Sequence, residues 1–160
     1  MQSNWEKSLD FILEQEGEYT NDPRDPGGET KWGICKKSYP NLDIKNLTKD
    51  QAKEIYKKNY WDAVKGDELP DGLDLAMVDM AVNQGVGTAI KLLQKHVGTA
   101  EDGILGPMTL AKAKALTPRQ ILVFLARRIE AYMNLMNKNT KLLCYATNWF
   151  FRVVALARRI

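Results

Sequence analysis

Leu73-Asp74-Leu75-Ala76-Met77-Val78-Asp79-Met80-Ala81-Val82-Asn83-Gln84 is apolar almost all round a helical wheel. A surface helix keeps a polar face, so this stretch predicts a central buried helix, with Asp79 and Asn83 as its polar exceptions. Polar groups in such a helix are usually satisfied structural residues. Working outward, helix signals recur on both sides. Ser3 with Glu6 and Thr48 with Gln51 form capping boxes. The first opens a helix that Gly17 ends; the second opens one carrying Ala52, Ile55, Tyr56 and Tyr60 on one face. Downstream, Gly85-Val86-Gly87 breaks the pattern and marks the best candidate boundary. A helix over Ala89 to His96 follows, then a turn at Asp102-Gly103-Ile104-Leu105-Gly106-Pro107, with Pro107 suited to the first position of a further short helix. Thr117-Pro118-Arg119-Gln120 caps a long amphipathic helix through Ile121, Leu125, Ile129, Tyr132 and Met136. The segment Trp149 to Ile160 reads as a docked terminal helix in preference to a basic membrane-surface one. The fold class is all-α.

The N-terminal helix carries the most informative carboxylate. Trp5, Leu9, Ile12 and Leu13 recur at helical spacing, and at about 100° per residue Glu16 falls within roughly 20° of Trp5 and Leu9. Glu6, Asp10 and Glu14 lie off that stripe. Burial disfavours the charged form of a carboxyl, which is the property a general acid needs. The competing reading is a helix-end Glu that swings out to water at Gly17.

Residues 17–34 are dense in Pro, Gly, Asn and Asp, so they cannot extend the helix and form turns or a short irregular hairpin. This segment sets a second acid, Asp25, and a hydroxyl, Thr30, beside Glu16. Glycoside hydrolysis needs such a set: one carboxylic acid protonates the leaving oxygen, and the other face of the sugar requires a base or nucleophile. A calcium loop is the obvious competitor, but its ligand spacing is absent and Pro23 and Pro26 sit among the acids.

The run Glu16-Gly17-x-Tyr19-x-Asn21-Asp22-Pro23-x-Asp25-x-Gly27-Gly28-x-Thr30-x-x-Gly33-Ile34 closely resembles the signature of glycoside hydrolase family 108, phage endolysins and related bacterial proteins with N-acetylmuramidase activity. The order of Glu16, Asp25 and Thr30 also resembles the Glu–Asp–Thr triad of phage-type lysozymes, with a final gap one residue shorter. The resemblance implies a lysozyme-like helical domain with a small irregular or short β-hairpin segment near residues 18–34. It implies Glu16 as catalytic acid, with Asp25 and Thr30 organising water or stabilising developing positive charge. Tyr19 and Trp32 are candidates to stack on sugar rings, and either reads as readily as a core residue. The resemblance extends through Tyr60-Trp61-Asp62, Leu69-Pro70 and Ala81-Val82-Asn83-Gln84-Gly85, which adds Asp79 and Asn83 as lining of a saccharide cleft. Two positions depart from the family pattern: Glu18 replaces a usual Gly and is a second candidate base, and Cys35 stands where Thr is common. The series Ala89-x-x-Leu92-Leu93-Gln94 and Asp102-Gly103-x-x-Gly106-Pro107-x-Thr109-Leu110 resembles the peptidoglycan-binding module that commonly follows family 108 catalytic regions. The expected organisation is therefore a catalytic region over 1–85 and a helical peptidoglycan-binding-like region over 86–160, packed into one compact unit.

Composition agrees with a small enzyme. The chain has 160 residues, and 44% of them are hydrophobic, enough for a core. No stretch approaches the roughly 18 apolar residues of a membrane span. The start, Met-Gln-Ser-Asn-Trp-Glu-Lys, does not read as a secretory signal. The expectation is a protein made in the host cytoplasm that acts on the cell wall after release by another route. Cys35 and Cys144 are expected as two buried reduced thiols. Arg127, Arg128, Arg152, Arg158 and Arg159 crowd the last third and would draw that half towards an anionic envelope surface. Nucleic acid is not an expected partner, because no basic recognition helix or aromatic-basic strand is present.

The sole histidine, His96, cannot supply the two or three imidazoles common in zinc amidases and endopeptidases, and no triad motif lies beside it. Among the ways to cut peptidoglycan, a carboxylate-driven glycosidase remains, without metal or other cofactor, and a monomer is expected. Two rivals stand beside it: a non-catalytic wall-binding or secretion-assisting protein on the same scaffold, and a lytic transglycosylase that leaves an anhydro sugar.

Overall fold

The computed structural model describes residues 3–17, 19–21 and 28–160. Seven α-helices lie among them: α1 (Asn4–Glu16), α2 (Lys49–Tyr56), α3 (Leu73–Gln84), α4 (Val86–Val97), α5 (Pro107–Lys114), α6 (Pro118–Lys138) and α7 (Ala146–Ala157). A π-helical turn, Lys57–Trp61, continues α2. One antiparallel hairpin, β1 (Thr30–Lys31) and β2 (Ile34–Cys35), completes the lysozyme-like all-α architecture. The chain forms two compact units, residues 1–59 and 60–160.

In the first unit, each helix starts where its cap dictates. Ser3 N–H donates to Glu6 Oε2 at 2.8 Å and Glu6 N–H donates back to Ser3 Oγ. Thr48 and Gln51 make the same reciprocal pair at 3.0 and 3.2 Å. Both boxes satisfy backbone donors that a helix start leaves without intrahelical partners. Trp5, Leu9, Phe11 and Ile12 of α1 are buried. Gly17, at φ 74°, takes the backbone out of the helix immediately after Glu16.

In the second unit, α3 buries nine consecutive residues, Leu73 to Ala81. It therefore forms the core element that its all-round apolar sequence predicts. Asp74 caps it from within: Oδ1 accepts from the N–H groups of Gly72 and Leu75. Gln94 of α4, only 1% exposed, fixes the turn before α5. Its Nε2 donates to Asp102 Oδ1 and to the Ile104 carbonyl, and its Oε1 accepts from Gly103 N–H. Pro107 occupies the first turn of α5, and a Thr117–Gln120 capping box opens the 21-residue α6. The terminal helix docks through Val153 and Leu156, and Trp149 stacks on Tyr132 of α6 at 4.6 Å. His96 is half-buried and edge-on to Phe124, where burial pushes its pKa down. No helix among the described residues is long and apolar enough to cross a membrane.

The compact units divide after Asn59, and Gly85–Gly87 lies within the second of them. At Gly85 the chain only turns from α3 into α4, and both helices belong to the second unit. The thiols are free but not both buried: Cys35 follows the inward Ile34 on a strand and is half-exposed, and Cys144 sits exposed in the short 3₁₀ segment Thr140–Tyr145. Arg128 and Arg152 are interior residues, so the basic surface of the last third is smaller than its arginine count suggests.

Candidate functional site

The site begins at the tip of the hairpin. Thr30 pairs with Cys35 and Lys31 with Ile34, which leaves Trp32-Gly33 as a two-residue loop. Both loop residues have positive φ, 49° and 74°. A tight hairpin turn that matches strand twist needs this backbone, and Gly adopts it freely. A bulky aromatic does not, so Trp32 is held at a backbone cost that its surroundings must offset. Tyr56, buried on α2, supplies one restraint by donating its hydroxyl to the Trp32 carbonyl at 2.7 Å. Lys31 Nζ lies 4.8 Å from the Trp32 ring centroid and covers its face.

Glu16 meets this tip. It is half-buried at the last position of α1, and its side chain lies against Gly33. A methyl group on the Gly33 Cα would stand 2.6 Å from Tyr56 Oη and 2.9 Å from Glu16 Oε2. The end of α1, the hairpin tip and the end of α2 therefore converge within one atomic layer, and only glycine fits between them. Gly33→Ala is expected to destabilise the protein by about 2–4 kcal/mol, from left-handed strain plus overpacking. A denaturation midpoint equal to that of the wild type would show that no such close approach exists.

Beside the tip opens a depression of about 480 Å³, lined by Asp10, Leu13, Glu14, Gly17, Trp32 and Lys49. Its size is in the usual range for small-ligand sites, which is roughly 300–1,000 Å³. Leu13 and Trp32 give it apolar walls, and the charged residues give it a polar rim.

The other residues singled out from sequence fall in different places. Thr30 lies on β1, where its backbone also pairs with Thr20 at 2.8 and 2.9 Å and its hydroxyl donates to the Gly28 carbonyl. Tyr19 is exposed next to that bridge and donates its hydroxyl to Glu29 Oε1 at 3.0 Å. Asp25 and Glu18 lie outside the described residues. Asp79 and Asn83 belong to the second unit, and Asp79 is fully buried. Its Oδ2 accepts from Arg128 Nη1 at 2.7 Å and its Oδ1 from Arg152 Nε at 2.8 Å. Arg128 Nε donates to the Tyr132 hydroxyl, which donates to Asn83 Oδ1 at 2.7 Å. Asp79 thus neutralises interior arginines and has no surface to offer a sugar. Sequence reasoning missed Tyr56 as a support of the tip. Its signal was available: a tyrosine on a buried helix face needs a partner for its hydroxyl.

Among the described residues, no cluster of three or more His, Cys, Asp or Glu side chains could hold a metal ion. Residues 9–85 match the family profile of glycosyl hydrolase 108. Among solved structures, SagA of Brucella abortus is 32% identical, with 97% of this chain and 92% of that chain covered and a TM-score of 0.81. No curated protein matches the chain.

Proposed function

This chain belongs to the glycosyl hydrolase 108 family, and on that premise we propose that it is an N-acetylmuramidase that hydrolyses the glycan strands of bacterial peptidoglycan. The linkage cut is the one between N-acetylmuramic acid and N-acetylglucosamine. The observation that carries this reading is the placement of the Glu16 carboxyl against the Trp32-Gly33 tip, beside a depression with apolar walls. In the reaction, Glu16 donates its proton to the glycosidic oxygen as the bond to the anomeric carbon breaks. The resulting oxocarbenium-like centre takes the hydroxyl of a water molecule, whose remaining proton leaves to a base. Asp25 is the proposed group that polarises that water or stabilises the cation, and Thr30 helps to hold the water in place. Trp32 and Tyr19 are the proposed stacking surfaces for sugar rings. Residues 86–160 would add affinity for the wall, and the enzyme would act as a monomer, without a cofactor, on wall reached after release from the cytoplasm.

Product analysis tests the reaction. Mass spectrometry of peptidoglycan digested by the wild type is expected to give fragments with reducing N-acetylmuramic acid ends. Anhydro ends would make the protein a lytic transglycosylase. Absence of soluble fragments would make it a wall-binding protein on an enzyme's scaffold.

A further inference from the structure

A second, smaller depression of about 240 Å³ adjoins the one beside Trp32. It is lined by Glu6, Leu9, Asp10, Lys49, Asp50 and Lys53, and the two depressions share Asp10 and Lys49. Those shared side chains approach to 3.9 Å, Lys49 Nζ to Asp10 Oδ1, and form a low partition between the two hollows. The pair follows α1 away from Glu16. At 1.5 Å per residue, Asp10 lies about 10 Å and Glu6 about 16 Å from Gly17 along the helix axis.

The two hollows differ in chemistry. The near one has Trp32 and Leu13 as apolar walls, which suit the faces of neutral sugar rings. The far one has only Leu9 as an apolar floor, and its remaining five lining residues are charged: two lysines and three acids. Ser3 holds the Glu6 carboxyl below the usual range, so Glu6 is ionised at neutral pH. A glycan strand of hydroxyls and acetamides has no formal charge to match this rim. The peptide hung from the lactyl group of muramic acid does, because it carries both carboxylate and ammonium groups.

We propose that the far depression, with Lys53 as its main contact to carboxylate, is a subsite for the zwitterionic stem peptide of peptidoglycan. This rests on the muramidase reading above. Length agrees with charge: four extended residues span about 13 Å, enough to run from a muramyl residue near Gly17 past Asp10 towards Lys53. Peptide carboxylates face Lys53 and Lys49, and the ammonium group faces Asp10, Asp50 and Glu6.

The test uses soluble peptidoglycan fragments and the same fragments after an amidase has removed their peptides. Lys53→Glu is expected to raise KM about three- to tenfold on the peptide-bearing glycan, in line with reversal of one exposed ion pair, while kcat is unchanged. On the glycan without peptide, whose charges are the lactyl carboxylates that the amidase leaves on the muramyl residues near Gly17 and away from Lys53, it is expected to match the wild type, and Lys53→Arg is expected to match the wild type on both. An equal rise on both glycans, or none on either, overturns the subsite. Calorimetry with a synthetic stem tetrapeptide decides it without catalysis: binding to wild type that Lys53→Glu weakens about three- to tenfold supports it, and no binding to wild type, or equal binding to both proteins, overturns it. Failure of the wild type to cleave either glycan would refute the hydrolase reading alone, and the titration would still settle the subsite.

Discussion

Glu16→Gln is expected to reduce kcat on peptidoglycan by about 10²–10⁴-fold, the usual contribution of a positioned general acid. The substitution keeps the size and shape of a side chain that lies against Gly33, so the melting temperature should barely move. What changes is the proton. A carboxamide cannot deliver one to the glycosidic oxygen, and the leaving group must then depart as an alkoxide. KM should stay near the wild-type value, because the loss concerns the transition state and not the ground-state complex. A variant that keeps more than a tenth of wild-type kcat would mean that another carboxyl is the acid, and Glu18 and Asp25 would be the residues to substitute next. The case for Glu16 is stronger than its position on an apolar stripe. The hairpin tip, built on two consecutive positive φ values and tied down by Tyr56, is shaped around this carboxyl.

Much of the fold was legible because its signals are local. Capping boxes at Ser3, Thr48 and Thr117 each place a helix start, and the structure has a helix directly after each. Gly17 stops α1 because a left-handed backbone favours glycine, and the all-round apolar α3 is buried because no polar face is available for water. The division between compact units was not legible. Gly85 is a strong local breaker, yet a breaker shows only that the chain turns, not whether the next helix packs on the previous one. The thiols failed for a related reason. Cysteine is among the most buried residue types on average, but the alternation of β2 turns Cys35 away from the side that buries Ile34.

In the candidate site, the order Glu16, Thr30, Trp32 and Gly33 could be read from sequence, but the contacts that bring the residues together could not. Tyr56 lies 40 positions beyond Glu16, and its hydroxyl finds a backbone carbonyl, a partner that leaves no trace in side-chain identity. The same limitation affected Asp79 and Asn83. A polar residue in an apolar helix reads equally well as a core group or as cleft lining until its partners are known, and here the partners lie 49 and 73 positions away.

Those partners lead to the largest stability effect expected. Asp79 is fully buried between Arg128, itself 0% exposed, and Arg152, at 8%. One carboxylate therefore serves two guanidinium groups, and each of its oxygens is committed to a different arginine. Asp79→Asn keeps the shape but removes the carboxylate charge that pairs with both arginines and turns an NH₂ group towards one of their donors. Breaking a buried ion pair from one side costs about 3–5 kcal/mol, because the remaining charge is left in the interior. For a chain of this size that corresponds to a fall of roughly 10 °C in melting temperature. Asn83→Ala removes only the acceptor of the Tyr132 hydroxyl, and should cost about 1–3 kcal/mol. Thermal melts of the two variants check the ranking, and equal melting temperatures would mean that Asp79 does not hold the network together. Hydrolysis measured well below the transition separates structure from chemistry. If Asp79 serves only the interior, Asp79→Asn retains wild-type activity per folded molecule. A loss in kcat at a temperature where the variant is fully folded would instead return Asp79 to the set of residues that act on substrate.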